Sequence, residues 1–199
     1  MDESNQFEQH RLLLSQVAEG SEPAFAALYA MYKNSVYNTA LSYLQNTVEA
    51  EDVTQDVFVK IHASAAFFQG KSSVKTWIYR ITINHTLDQL RHKKRQKRFG
   101  DFVQLFQPGG TNPSLDIPDF DHPGVLLDQK EDARIVFKAI ALLPEQQKTA
   151  FILAFIEDLP RQEVALVMNV SIKAVESLLQ RAKKNLRSSL DFLLPDRRV

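Results

Sequence analysis

The chain has 199 residues, 44% of them hydrophobic, with 24 basic and 24 acidic side chains and no cysteine. Without cysteine there are no disulfides, thiolate metal sites or thiol redox switches, and no apolar run approaches the ~20 residues a membrane-spanning helix needs. The zero net charge hides a segregation: residues 1–70 carry −6, 71–98 carry +8, 99–128 carry −5, 129–159 carry −1 and 160–199 carry +4. Two basic blocks split by an acidic one predict two surfaces for polyanion and other surfaces for basic partners.

The acidic, polar start MDESNQFEQH is unlike a signal peptide, and a soluble, cytoplasmic setting fits it best. A first helix is expected near Phe7–Ala18, stopping at Gly20-Ser21. Ser21 with Glu22-Pro23 reads as the start of a second, whose apolar stripe is Phe25, Leu28, Tyr29 and Tyr32 and whose end falls near Leu44. Thr47 is placed to cap a third helix containing Val53, Val57, Phe58 and Ile61. On its polar side Asp52/Asp56 and Glu51/Gln55 form i, i+4 pairs. Like charges at that spacing are mildly destabilising, so a basic partner accounts for them better than helix stability does, although a solvated acidic face is the common alternative.

After the loop Gln69–Ser73, a fourth helix starts near Val74 and runs through TWIYRITINHTLDQLR into RHKKRQKR. Basic side chains track phosphates and aromatic planes stack on unpaired bases, at ~1–3 kcal/mol per base. Phe67, Phe68 and Trp77 supply the planes, and Asn84 supplies an amide able to read the edge of an extruded base. Trp77 and Tyr79 fit a helical core equally well. Residues 99–124 then change character, with four prolines, four glycines and no Lys or Arg, which is linker composition. Asp116, Asp119, Asp121 and His122 in that stretch have metal-ligand chemistry but no helical positioning, and a solvated acidic linker is the better reading.

Helices resume near Val125 and break at Leu143-Pro144 and around Asp158-Leu159-Pro160. The segment PRQEVALVMNVSIKAVESLLQRAKKNLR (160–187) reads as two amphipathic helices around a tight turn. Pro160 starts the first at no cost in hydrogen bonding, and Val164, Ala165 and Met168 form its stripe. Asn169 suits a left-handed turn. Ser171 caps the second helix, whose apolar face is Ala174, Val175, Leu178 and Leu179. This is a helix-turn-helix, whose second helix normally enters the DNA major groove; alone it also fits a plain helical hairpin.

In order and spacing, AEDVTQDVFVKIH (50–62), TWIYRITINHTLDQLR (76–91), LPEQQKTAFILAF (143–155), LPRQEVALVMNVS (159–171) and AVESLLQRAKKNL (174–186) resemble the extracytoplasmic-function (ECF) sigma factors of bacterial RNA polymerase. The likeness covers nearly the whole chain. It implies an all-α protein of two small helical domains: 1–98, which binds the polymerase clamp and the minus-ten element, and 125–199, whose helix-turn-helix reads the minus-thirty-five element. Residues 99–124 become the tether between them, threading through the polymerase where an acidic stretch would mimic RNA.

By the same resemblance, Glu51, Asp52, Gln55 and Asp56 meet the clamp coiled coil of the largest subunit, and the second domain the flap region. Phe67, Phe68, Lys71, Lys75, Trp77, Asn84 and Arg91 hold the melted strand, with Lys93, Lys94 and Arg95 adding phosphate attraction. Ser171, Lys173, Glu176, Ser177, Gln180, Arg181 and Lys184 face the minus-thirty-five element. Here the chain departs from the commoner pattern, which has bases where Glu176 and Leu178 stand. An anti-sigma factor is a further expected partner; no cofactor, metal or catalytic residue is implied. LLPDRRV follows closely on the last helix, so no additional carboxyl-terminal domain is expected.

Two rivals remain at this level. A ligand-responsive regulator would explain the helix-turn-helix but not the basic aromatic helix or the acidic one before it. A nucleic-acid enzyme would need clustered ligands or a phosphate loop, whereas the five histidines are scattered and no glycine-rich phosphate loop is present.

Overall fold

The computed structural model describes the backbone of residues 3–104 and 130–193 and the side chains of residues 7–96 and 133–192. Among the described residues there is no strand. The first domain comprises α1 (Glu3–Ala18), α2 (Glu22–Leu44), α3 (Thr47–Ser64), a 3-10 turn (Ala65–Phe67) and α4 (Val74–Gln104). The second comprises α5 (Lys130–Ala141), α6 (Glu145–Phe151), a π-helical turn (Ile152–Ile156), α7 (Arg161–Met168) and α8 (Ile172–Leu193).

Local chemistry sets most of these boundaries. Ser21 is the N-cap of α2, its hydroxyl accepting from the amide of Ala24 at 3.4 Å, with Pro23 in the first turn. Helix α2 ends where Gln45 turns left-handed (φ 51°). Helix α3 is capped by Asn46 rather than by Thr47: the Asn46 Oδ1 accepts from the amide of Glu49 at 3.0 Å, and Asn is the stronger N-cap residue. Helix α4 runs to Gln104, so residues 99–104 of the expected linker are helical instead. Extending an established helix fixes one residue per added hydrogen bond, without the cost of a new nucleus. The remainder of the expected linker, with Asp116, Asp119, Asp121 and His122, lies outside the described residues, as do residues 125–129, where the last helices were expected to resume.

In the first domain α2 packs against α1, α3 and α4 and buries Leu28, Val36, Ala40 and Leu41 against Val53, Val57, Ile61 and Ile78. In the second, α8 crosses α5, α6 and α7 around Ile140, Ile152, Leu153, Val164, Val175 and Ala182. Burial of each large aliphatic side chain is worth about 1.5–3 kcal/mol, and this is what holds the two helical sets together. The two cores are continuous, forming one cluster of buried residues.

The contact between them also includes polar groups. Lys148 in α6 is half-buried, and burial, with Lys94 of α4 nearby, pushes its ammonium down to about 8. A lysine held below its ordinary value weakens folding at neutral pH; stability is recovered as pH rises from about 8 towards the unfolded value. Lys148→Met is therefore expected to stabilise the protein by about 1–2 kcal/mol at pH 7. Thermal melts at pH 7 and pH 10 check it, because the variant should also lose most of the parent's gain at high pH.

Candidate nucleic-acid interface

Three exposed surfaces emerge, each on its own helix. The first is the outward face of α3, where Glu51, Asp52, Gln55 and Asp56 are all exposed. Val48 and Val59, 64% and 67% exposed, bracket them. Positions 48, 52, 55 and 59 form a single helical stripe of i, i+4, i+7, i+11 spacing. The two valines were missed from sequence; their register, five residues before Val53 and two after Val57, puts them on the opposite side of the helix and was the available signal. Behind this face His85 of α4 locks Asp56. Its Nε2 lies 3.1 Å from the Asp56 Oδ2, and its Nδ1 faces the Lys60 ammonium at 2.6 Å. Because the ammonium can only donate, Nδ1 accepts and the Nε2–H is directed to Asp56.

The second surface is the start of α4 and the loop before it. Phe68 and Trp77 meet with ring centroids 5.4 Å apart at 60°, both half-buried, while Phe67 beside them is 79% exposed. Lys71 and Asn84 are exposed, and Lys75 is half-buried. The loop is shaped by Gly70, whose φ of 68° suits glycine and where an added Cβ would lie 2.9 Å from the Arg11 guanidinium. Ser73 starts α4 by accepting from the amide of Thr76 at 2.9 Å. At a helical repeat of 3.6 residues, Trp77, Arg80, Asn84 and Arg91 lie on one stripe.

The basic run that follows is less uniform than its composition suggests. Arg91 pairs with Asp88 at 3.3 Å and with Glu145 of the second domain at 2.5 Å. Lys93 pairs with Glu49 of α3, while Lys94 and Arg95 are exposed. Tyr79 belongs to the core alternative: it is buried and its hydroxyl donates to the Glu157 Oε2 at 2.9 Å. Burial, and then the Glu157 carboxylate, push that hydroxyl well above the usual tyrosine range.

The third surface is α8. Asn169 takes the left-handed conformation (φ 55°) between α7 and α8, and the Ser171 hydroxyl accepts from the amide of Ala174 at 3.2 Å. Val175, Leu178 and Leu179 are buried, while Ser171, Lys173, Glu176, Ser177, Gln180, Arg181 and Lys184 are all exposed. Leu178 therefore packs inward, and of the two departures from the family pattern only Glu176 stands on the open face. Lys173, Glu176, Ser177 and Gln180 line a groove of about 510 Å³ whose other side is Arg161 and Phe155. The Lys183 ammonium sits 4.7 Å from the centre of the Phe155 ring. Arg161, Phe155 and Lys183 were missed from sequence; Arg161 opens the helix-turn-helix, where the first helix crosses the DNA backbone, and that position was the signal.

The model for sigma-70 region 2 matches residues 28–96 and the model for sigma-70 region 4 matches residues 133–186. The chain is 28% identical to the ECF RNA polymerase sigma factor SigW of Bacillus subtilis, over 89% of its own length and 94% of SigW. It is 29% identical to the ECF RNA polymerase sigma-E factor of Haemophilus influenzae, over 92% and 95% of the two chains. Among solved structures, the sigma factor RpoE of Bartonella quintana, in complex with the anti-sigma factor NepR, superposes with a TM-score of 0.63 at 25% identity, covering 87% of this chain and 98% of RpoE. CnrH, solved with the cytosolic domain of CnrY, has the same fold (TM-score 0.66, 23% identity, 92% and 97% covered). With both regions in order along one helical chain, the protein belongs to the sigma-70 family as an ECF sigma factor, a factor for promoter-specific transcription initiation by RNA polymerase.

Proposed function

We propose that the three surfaces divide the work of initiation as follows. The α3 face, through Glu51, Asp52, Gln55 and Asp56 between two exposed valines, docks on the basic clamp coiled coil of core polymerase. The Phe67–Lys75 loop and the first turns of α4 capture the unpaired minus-ten strand. An extruded base stacks on the Phe68–Trp77 wall, Phe67 closes over it, Asn84 reads its edge, and Lys71, Lys75 and Arg91 hold the phosphates. Lys93, Lys94 and Arg95 add non-specific attraction. The exposed face of α8 enters the minus-thirty-five major groove. The domains are assigned as 1–98 and 125–199, with the residues between acting as tether and RNA mimic.

The observation that carries this reading is the separation of two exposed, base-bearing faces on α4 and α8, one per domain. A tether and a shared polymerase raise the local concentration of each domain at its element, so neither needs tight binding alone. Binding unpaired bases in preference to duplex shifts the equilibrium towards the melted state, with no bond made or broken by this chain. The setting is the cytoplasm, and the flap of the polymerase receives the second domain. An anti-sigma factor fits as regulator, since RpoE of Bartonella quintana was solved with one.

Glu176 sets promoter choice in this scheme. A carboxylate repels phosphate but accepts from a cytosine amino group, a contact worth about 1–3 kcal/mol of discrimination. Selection of promoters from a randomised minus-thirty-five library, with core polymerase and either parent or Glu176→Lys protein, tests this. The variant should shift preference between bases at one position by about tenfold or more; an unchanged preference contradicts the assignment.

A further inference from the structure

Asp56 and Lys60 stand four residues apart on α3, the acid first, and acid before base at that spacing is the favoured order for an ion pair along a helix. Both are exposed and free to meet, yet among the described residues each turns to His85 of α4 instead. The Lys60 ammonium lies 2.6 Å from the His85 Nδ1, and the His85 Nε2 lies 3.1 Å from the Asp56 Oδ2. An ammonium has no lone pair to offer, so Nδ1 is the acceptor and the proton of the ring sits on Nε2. The bridge therefore runs from ammonium through a neutral imidazole to carboxylate. The His85 side chain is 17% exposed and that of Asp56 65% exposed. The other Asp56 oxygen, Oδ1, has no partner among the described residues.

Holding α3 on α4 does not require this bridge, because α3 already packs on α4 with Val57, Ile61 and Ile78 buried. What the bridge decides is the state of the Asp56 carboxylate. Paired directly with Lys60, the carboxylate would have its charge offset, and an arriving cation would have to displace an ammonium already there. Bridged through a neutral ring, it keeps its full charge, and the polarised chain of hydrogen bonds fixes its orientation before any partner arrives. Less ordering is then left to be done on association.

We infer that His85 is a positioning residue for polymerase docking: it keeps Lys60 off Asp56 and holds the carboxylate on the α3 face with Oδ1 open to a basic partner. This rests on the assignment of α3 to the polymerase clamp. His85 itself does not touch the partner; it acts through Asp56, from the helix that carries Asn84 one residue earlier.

The test is titration of labelled full-length protein with core polymerase. His85→Leu is expected to weaken binding about fivefold, since the freed Lys60 then competes for Asp56 as an exposed pair does. Adding Lys60→Gln to His85→Leu should restore most of that loss, which damage to the fold would not allow. Asp56→Asn should weaken binding by itself, and His85→Leu should add nothing to it, the two acting as one unit. Parent-like binding by His85→Leu, a loss that Lys60→Gln does not recover, or a full additional loss in the Asp56→Asn background each overturns the role of His85 while leaving α3 as the docking face. Parent-like binding by Asp56→Asn would instead overturn the docking assignment of Asp56, and the role of His85 with it.

Discussion

Glu51→Lys with Asp52→Lys is expected to weaken binding to core polymerase by at least about a hundredfold, because truncated or reversed charge pairs across an interface cost about 2–5 kcal/mol. Both carboxylates are exposed on α3, so their replacement should not disturb the fold. It also relieves the i, i+4 repulsion between Asp52 and Asp56. The two valines beside them, Val48 and Val59, supply apolar contact that an acidic, purely solvated face would not need. Titration of labelled protein with core polymerase measures the loss, and oligothymidylate binding through α4 serves as the internal control. Parent-like affinity for core with the double variant would remove α3 from the polymerase interface.

Leu153→Ala should have the largest effect on folding. Leu153 is fully buried in the π-helical turn at the centre of the second domain, and truncating such a leucine costs about 2–5 kcal/mol, depending on how far the cavity collapses. A domain of this size has little stability in reserve. The expected outcome is early melting of α5–α8, with selective loss of minus-thirty-five dependence and retention of single-strand binding by α4. Calorimetry and limited proteolysis at 37 °C check it, and a melting curve superimposable on the parent's would contradict the placement of Leu153 in the core.

How far these sites could be read from sequence depended on whether their signals were local. Ser21 with Pro23, the start of α4 at Val74, and Asn169-Val170-Ser171 between α7 and α8 are set by residues within a few positions of one another, and each came out where its capping or turn chemistry put it. Neighbouring candidates were harder. Asn46 and Thr47 both cap well in principle, and only the geometry of the Glu49 amide decides between them. The end of α4 was misplaced because residues 99–124 were read as one linker from their shared composition, whereas an established helix runs on to Gln104 and tolerates Gly100 at about 1 kcal/mol.

Long-range relations left no trace in the pattern. Tyr79 and Arg80 sit among the aromatic and basic residues of α4, yet their partners are Glu157 and the Leu166 carbonyl, about eighty residues further on. Likewise Lys93 looks like one more phosphate contact until Glu49 is found beside it. Leu178 shows the converse: its apolar period marked it as core, and the structure buries it. The departure from the family pattern at that position therefore bears on packing, while the one at Glu176 stands on the exposed face of α8.

The central claim is that one chain reads two promoter elements through core polymerase and holds the downstream one melted. Permanganate footprinting of complexes reconstituted from core polymerase, this protein and a selected promoter measures that most directly. The account predicts reactive thymines across the minus-ten element, lost when either element is scrambled and strongly reduced in Trp77→Ala. Equal reactivity with core polymerase alone, or melting that is indifferent to both elements, would contradict it.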